Sequence, residues 1–469
     1  MRICFLIPDG IGIRNYLYSD VIKELTSRGH EIILWHSLDS QMIQIAENHL
    51  QVKFEQYEFV HEPDSFWIKL FRESARYSRL IQNVSKTDNP TILTNWTESS
   101  SSFSGKLLFK LAKMLGKSFR SDRGANRLEE LGFSVIRRSK RFKKAIDFLK
   151  ELNPDLLFCT HQRVYSVTPA IEAAKSLKIP TSTAIFSWDN LPKARLPFRT
   201  DQYLVWSPYM KNELEFYFPD ISSSQIEITG TPQFDFYFQK DILLSREEFA
   251  SKMGLDSAKN WICFSGCDSL TSPNDPLYLE DVAREVSQLE DCELLFRPVP
   301  VESVDRFKQV LKEYSFIKLL NPKWKKGSHW GNYFPLYEDL VDLVNLTYHC
   351  KIVLNMGSTM ALDFSVFGNL AFYLNYDHAT ALKNWSVKTI YNYQHFRSMG
   401  DLKAVEYIFS PSEIKEKVKK ALELPDQFAP DKGEWFNKIV APNPQQPAFL
   451  RVADALESLV LASKNRIIA

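Results

Sequence analysis

The 469-residue chain is poor in the features that most quickly betray a function. No D-x-D occurs in a plausible loop, so a bound divalent metal is not required. The six cysteines are scattered, only Cys263 and Cys267 fall close together, and no Cys/His set has zinc spacing. They read as buried, reduced thiols of a cytoplasmic protein. No apolar run reaches membrane-spanning length. Residues 1–7 look superficially like a secretion signal, but the run is too short and Pro8-Asp9-Gly10 breaks it. The full G-x-G-x-x-G is missing, and with it the dinucleotide fingerprint. Internal repeats, low-complexity tracts and nucleic-acid fold signatures are also missing. A formal net charge of +1 and a 44% hydrophobic content exclude a disordered chain.

What is present is a β/α alternation in two runs. Apolar strands are predicted at 2–7, 31–35, 50–59, 91–93, 155–160, 182–186, 201–206 and 226–229, with helices at 15–27, 169–177 and 208–217. A second run places strands at 261–265, 293–296, 316–320, 352–354 and 370–374, with helices at 245–254, 277–289, 304–314 and 336–346. The pattern predicts an α/β protein with domains at 1–240 and 241–440, followed by a terminal helical segment at 441–469.

The stretch 350–377 reads as strand, tight polar loop, helix and strand. A loop at a helix N-terminus offers unpaired N–H groups and partial positive charge, which suits a phosphate. Gly357 permits close approach, Ser358 and Thr359 cap the helix or bond the phosphate, and Asp363 suits a ribose hydroxyl. An ordinary capped strand-to-helix turn explains the same residues.

Residues 103–150 hold fourteen Lys/Arg against four Asp/Glu. Within them, helical spacing over 103–119 sets Leu107, Leu108, Leu111 and Leu115 on one face and Lys106, Lys110, Lys113 and Lys117 beside it. Such a helix either packs on the core with a solvated basic side or lies on an anionic membrane surface. Without a nucleic-acid fold nearby, no nucleic-acid partner is expected.

Two Rossmann-like halves with a G-S-T turn in the second resemble the GT-B glycosyltransferase superfamily (UDP-glycosyltransferase/glycogen phosphorylase-like). The stretch 186–214 (FSWDNLPKARLPFRTDQYLVWSPYMKNEL) resembles bacterial surface-polysaccharide proteins of that superfamily. ITGTPQFD at 228–235 resembles the G-x-P-x-x-D turn of CDP-glycerol glycerophosphotransferases, and FRPVP at 296–300 their R-x-H-P loop. GSTMALDFSVFGNLAFYLNYD at 357–377 resembles their S-S-x-x-x-D-x-x-x-x-G-K-P turn and helix.

The resemblance implies two Rossmann-like domains with a cleft between them and a C-terminal helix. It also implies a nucleotide-sugar donor substrate, no further cofactor, and no metal, consistent with the missing D-x-D. Gly357, Ser358 and Thr359 would hold the donor phosphates and Asp363 its ribose. Arg297 would neutralise the departing diphosphate, with Gly266 facing it. The base would come from the first domain: Asp9 foremost, then His161 and Asp189, each at a strand's C-terminal end. Pro-Asp-Gly is also a good turn in itself, His161 also suits a satisfied core histidine, and Asp189 also suits a structural Asx turn. Trp330 and Tyr333 are candidates to stack on the base, and His329 to replace a missing proton donor.

The implied activity is sugar transfer to a surface-glycan acceptor, lipid-linked if the basic helix serves the cytoplasmic face of the inner membrane. A 2-epimerase-like or polyol-phosphate transferase activity is the enzymatic alternative. Val299 stands where relatives carry His and Asn369 where they carry Lys, which favours a third option, a non-catalytic relic that binds a partner or membrane.

Overall fold

The computed structural model describes residues 1–59, 62–98, 102–327, 333–378 and 385–468. His329 and Trp330 lie outside the described residues. The chain forms two compact units, one of residues 1–235, 326–334 and 439–469, the other of residues 236–325 and 335–438.

The first unit is built on a seven-stranded sheet, whose strands we label in chain order: β1 (Arg2–Ile7), β2 (Glu31–His36), β3 (Glu55–Glu58), β4 (Leu156–Cys159), β5 (Thr181–Ala184), β6 (Gln202–Val205) and β7 (Ile226–Ile228). Their spatial order is β3-β2-β1-β4-β5-β6-β7, and the pairings are parallel. Parallel strands covered on both faces are apolar throughout, and Ile3 to Ile7 are fully buried. Strand β3 is the exposed edge, and its glutamates discourage further pairing.

The second unit carries β8 (Asn260–Ser265), β9 (Cys292–Arg297), β10 (Lys318–Leu319), β11 (Ile352–Asn355), β12 (Leu370–Leu374) and β13 (Glu406–Ile408), in the order β10-β9-β8-β11-β12-β13. These pairings are parallel as well. In each sheet the chain starts centrally, builds outward on one side, then returns to the other. The order therefore reverses between β1 and β4, and between β8 and β11. Doubly wound sheets bind ligands beyond the strand C-termini at such reversals.

Several expected elements differ. The strand at 91–93 is instead a 3-10 turn, Pro90–Asn95, capped by the Asn89 side chain on the Thr91 amide at 3.1 Å. The helix at 15–27 is interrupted into a wide turn, Ile13–Leu17, and Val21–Ser27, because the Ser19 hydroxyl takes the Asn15 carbonyl at 2.8 Å. The strand at 50–59 shrinks to β3, since Leu50 ends the helix Ser40–Leu50 and Gln51 is left-handed (φ 55°).

Four helices, Phe66–Thr87, Phe103–Ser118, Asp122–Arg137 and Lys140–Leu152, separate β3 from β4. Part of the basic character of this block is matched within the chain. Arg137 pairs with Glu172 and Glu130 at 2.7 Å, Arg141 with Asp64, and Lys144 with Glu62 at 3.1 Å. On Phe103–Ser118 the buried face is Leu108, Phe109 and Ala112, against Leu70. Leu107 is outward and 44% exposed, not on the buried face with Leu108.

The Ile228–Asp235 motif has a plain structural role. Asp235 accepts from the Ala448 and Phe449 amides at 2.9 and 2.8 Å, so its carboxylate caps the helix Ala448–Ile468. Burial nevertheless pushes the Asp235 carboxyl up to about 6.

Candidate functional site

Strands β1 and β4 pair with Leu6 opposite Cys159, so the loops leaving them start side by side. Gly12 lets these loops close up: a Cβ there would sit 2.6 Å from Thr160 Oγ1. The result brings together two of the residues expected from sequence. Asp9 Oδ2 lies 2.5 Å from His161 Nδ1, and both residues are at most 3% exposed. Asp9 Oδ1 also accepts from the Ile11 amide at 3.2 Å, so the turn holds the carboxylate that holds the ring. Phe186 packs edge-on against the imidazole, centroids 4.7 Å apart.

With Asp9 ionised and the imidazole neutral, Nδ1 carries the hydrogen toward the carboxylate and Nε2 bears the lone pair. Among the described residues, the buried Nε2 has no hydrogen-bond partner. Chemically this is an oriented base able to take a proton at a fixed atom.

Asp189, the third candidate, sits in the loop after β5. It accepts from Ser187 Oγ at 2.6 Å and pairs with Lys193.

In the second unit, Gly266, Arg297 and Gly357 lie at or just beyond the C-terminal ends of β8, β9 and β11, three adjacent strands. Gly266 donates its amide to the Arg297 carbonyl at 2.9 Å, and Cys267 Sγ lies 3.8 Å from the Met356 carbonyl. Gly357 adopts φ +69°, open to glycine and strained for other residues. Ser358 Oγ accepts from the Met360 amide at 3.3 Å, while exposed Thr359 makes no side-chain cap. The helix that follows, Met360–Ser365, has only six residues, so its dipole adds little to the loop amides. Asp363 Oδ1 accepts from the Tyr237 hydroxyl at 2.6 Å.

The Arg297 guanidinium is turned into the unit. Its Nη2 donates to Asp339 Oδ2 at 2.9 Å, and Asp339 also accepts from the Lys323 amide and Trp324 Nε1, each at 2.8 Å. Asn369 is structural, donating to the Thr347 carbonyl at 2.7 Å from a buried position. Tyr333 groups with the first unit, where Lys326 Nζ lies 5.9 Å from its ring.

Two buried carboxyls were missed by sequence reasoning. Glu213 lies in the helix Pro208–Tyr217, with Tyr209 Oη 3.2 Å from Oε1 and, among the described residues, no hydrogen-bond partner for Oε2. Burial pushes it up to about 8, so it is protonated at neutral pH. The signal was there: Glu213 stands in the buried stripe of Met210, Leu214 and Tyr217. Asp275 lies under the Gly266 loop, accepts from the Cys267 amide at 2.6 Å, and is pushed up to about 7 by burial.

No protein-family model matches the chain, and no curated protein sequence does. Solved structures do. The UDP-GlcNAc 2-epimerase of Neisseria meningitidis, solved with UDP-GlcNAc, aligns over 98% of this chain and 100% of its own, with TM-score 0.52 and 11% identity. A putative UDP-N-acetylglucosamine 2-epimerase from Listeria monocytogenes aligns over 98% and 96%, with TM-score 0.53 and 10% identity. Another UDP-N-acetylglucosamine 2-epimerase aligns over 99% and 96%, with TM-score 0.55 and 11% identity. The fold is GT-B. At these identities the likeness establishes the fold alone. On a GT-B frame, the Asp9–His161 pair belongs to the N-terminal sheet and the Gly266, Arg297 and Gly357 loops to the C-terminal one.

Proposed function

We propose that the chain is a glycosyltransferase that moves a sugar from a nucleotide-sugar donor to a surface-glycan hydroxyl without a metal ion. The observation that carries this reading is the Asp9–His161 pair with its free, buried Nε2. Attack by a hydroxyl requires removal of its proton, and an imidazole fixed by a carboxylate supplies that base. As His161 takes the proton, Asp9 stabilises the imidazolium. The Gly357 and Thr359 amides and the Ser358 hydroxyl are assigned to the donor phosphates, the Ser358 amide being held by Asn355 Oδ1 at 3.0 Å, with Gly266 assigned to close approach and Asp363 to the ribose. Arg297 already carries Asp339, which leaves its buried Nη1, without a hydrogen-bond partner among the described residues, as the donor toward the leaving diphosphate.

A lipid-linked acceptor is favoured by a separate observation. On Phe103–Ser118 the outward side carries Phe103, Leu107 and Met114 at 84%, 44% and 56% exposure. Exposed Lys106, Lys110 and Lys117 run beside them, a pairing suited to an anionic lipid surface. Among the described residues, no helix is long and apolar enough to cross a membrane.

Thermal-shift screening against nucleoside diphosphates and their sugars tests the donor assignment. A ligand at a hundredfold excess over its dissociation constant stabilises by about 2.7 kcal/mol. No shift with any nucleotide would sink the proposal. Turnover in heavy water then separates transfer from 2-epimerisation, since only the latter incorporates solvent deuterium at the sugar carbon.

A further inference from the structure

Three arginines of the first unit are poorly matched by acids. Arg163 follows His161 by two residues, in the loop leaving β4. Arg195 lies in the loop leaving the neighbouring β5, just after Ala194, whose φ is +52°. Among the described residues neither makes a hydrogen bond or an ion pair within 4.0 Å, although both are only partly exposed. Arg195 Nε is buried and unbonded, as is Nε of Arg76, which is 8% exposed on Phe66–Thr87.

The nearby acids do not balance them. Asp189 is held by Lys193 and Ser187, and Glu73 is shared by Arg76 and Arg72. Asp9 is held by His161 and the Ile11 amide. Burial and the like charges of Arg163 and Arg76 push Arg195 down to about 10. Burial also lowers Arg163, against the attraction of Asp189, Tyr165 and Asp9. A half-buried cation is costly unless a counter-charge joins it.

We propose that Arg163 and Arg195 form an oxyanion-binding site beside the Asp9–His161 pair, and that the acceptor carries the phosphate or carboxylate that fills it. Calling the anion's owner the acceptor rests on the transferase reading; the site itself does not. Loops from β1, β4 and β5, adjacent parallel strands, place base and anion site along the C-terminal end of the sheet. Planar guanidinium forks suit bidentate pairing with either group. A diphosphate fits a lipid-linked acceptor, and a carboxylate fits an acidic sugar.

The test is calorimetric titration of the full chain with inorganic phosphate, pyrophosphate and glucuronate. Wild type, Arg163→Gln and Arg195→Gln are compared, with nucleotide binding followed in parallel. At least one anion is expected to bind, and each substitution to weaken it about ten- to a hundredfold, as loss of a charge-assisted bond implies. Preference for pyrophosphate identifies a phosphorylated acceptor, and preference for glucuronate an acidic glycan. Without anion, both variants should melt no lower than wild type, because an unmatched charge has been removed. The proposal is overturned if no anion binds more tightly than about 10 mM, if binding is the same in the variants, or if the variants melt well below wild type. Anion binding without nucleotide binding or transfer would reject the transferase reading and leave this site standing.

Discussion

His161 Nδ1 meets the Asp9 carboxylate at 2.5 Å across the reversal of strand order between β1 and β4. The two residues are 152 positions apart, and a four-helix insertion lies between their strands. The contact is a product of topology.

Separating this pair should stop chemistry and spare donor binding. His161→Gln removes the base, and Asp9→Asn leaves the ring without its anionic anchor. Either should lower turnover by about 10²- to 10⁴-fold. Nucleotide affinity should hold, since the donor residues are assigned to the other unit. Single-turnover rates and nucleotide titrations on the same preparations check both halves. Loss of nucleotide binding in either variant would place the pair elsewhere in the mechanism.

The buried carboxyls Glu213 and Asp275 predict a pH dependence of stability. Their folded values, about 8 and about 7, lie above the usual unfolded values of about 4. The fold therefore holds these protons more tightly than the unfolded chain. Their contribution is complete below about pH 4 and is lost as pH rises through 7 and 8. Glu213→Gln and Asp275→Asn should match wild type in melting temperature at pH 4 to 5 and exceed it at pH 9. Each unit of displacement is worth about 1.4 kcal/mol. Variants that melt below wild type at pH 9 would show that the ionised forms are held after all.

The fold was readable because alternating apolar strands and helices declare a doubly wound protein. Asp9 and His161 were each readable as polar residues just past an apolar strand. Their contact was not, because it depends on β1 and β4 becoming neighbours. Arg297 shows the converse. Its position at the end of β9 follows from sequence, but its direction depends on Asp339, 42 residues on. Helical spacing over 103–119 identified an amphipathic helix, yet the buried side is set by Leu70 and its neighbours on another helix. Periodicity gives a stripe, and only the packing partner says which stripe turns inward.

Asp363 has two candidate duties, and Tyr237 separates them. Its Oδ1 accepts the Tyr237 hydroxyl at 2.6 Å. If the carboxylate also serves a ribose, Asp363→Ala should weaken nucleotide binding about tenfold or more, the size expected for a bond to a charged group. Tyr237→Phe should leave nucleotide binding close to wild type. If Asp363 only anchors Tyr237, both variants should lose similar stability and neither should alter nucleotide affinity. Melting curves with and without nucleotide distinguish the outcomes.

The Arg297–Asp339 pair should be costly to break from one side. Both residues are 7% exposed or less, and Asp339 gathers three donors: the guanidinium, the Lys323 amide and Trp324 Nε1. Asp339→Asn strands a buried guanidinium, and a loss of about 3–5 kcal/mol is expected. Arg297→Met strands the carboxylate at similar cost, although the two N–H donors that remain soften it. The double variant Arg297→Met with Asp339→Leu removes both charges and should recover part of the loss. Denaturant midpoints of the four proteins measure this coupling. Nucleotide titration of the double variant then decides whether Arg297 also serves the donor. Restored stability with weakened diphosphate binding means that it does, and unchanged binding means that the guanidinium is a strut for the Trp324 loop.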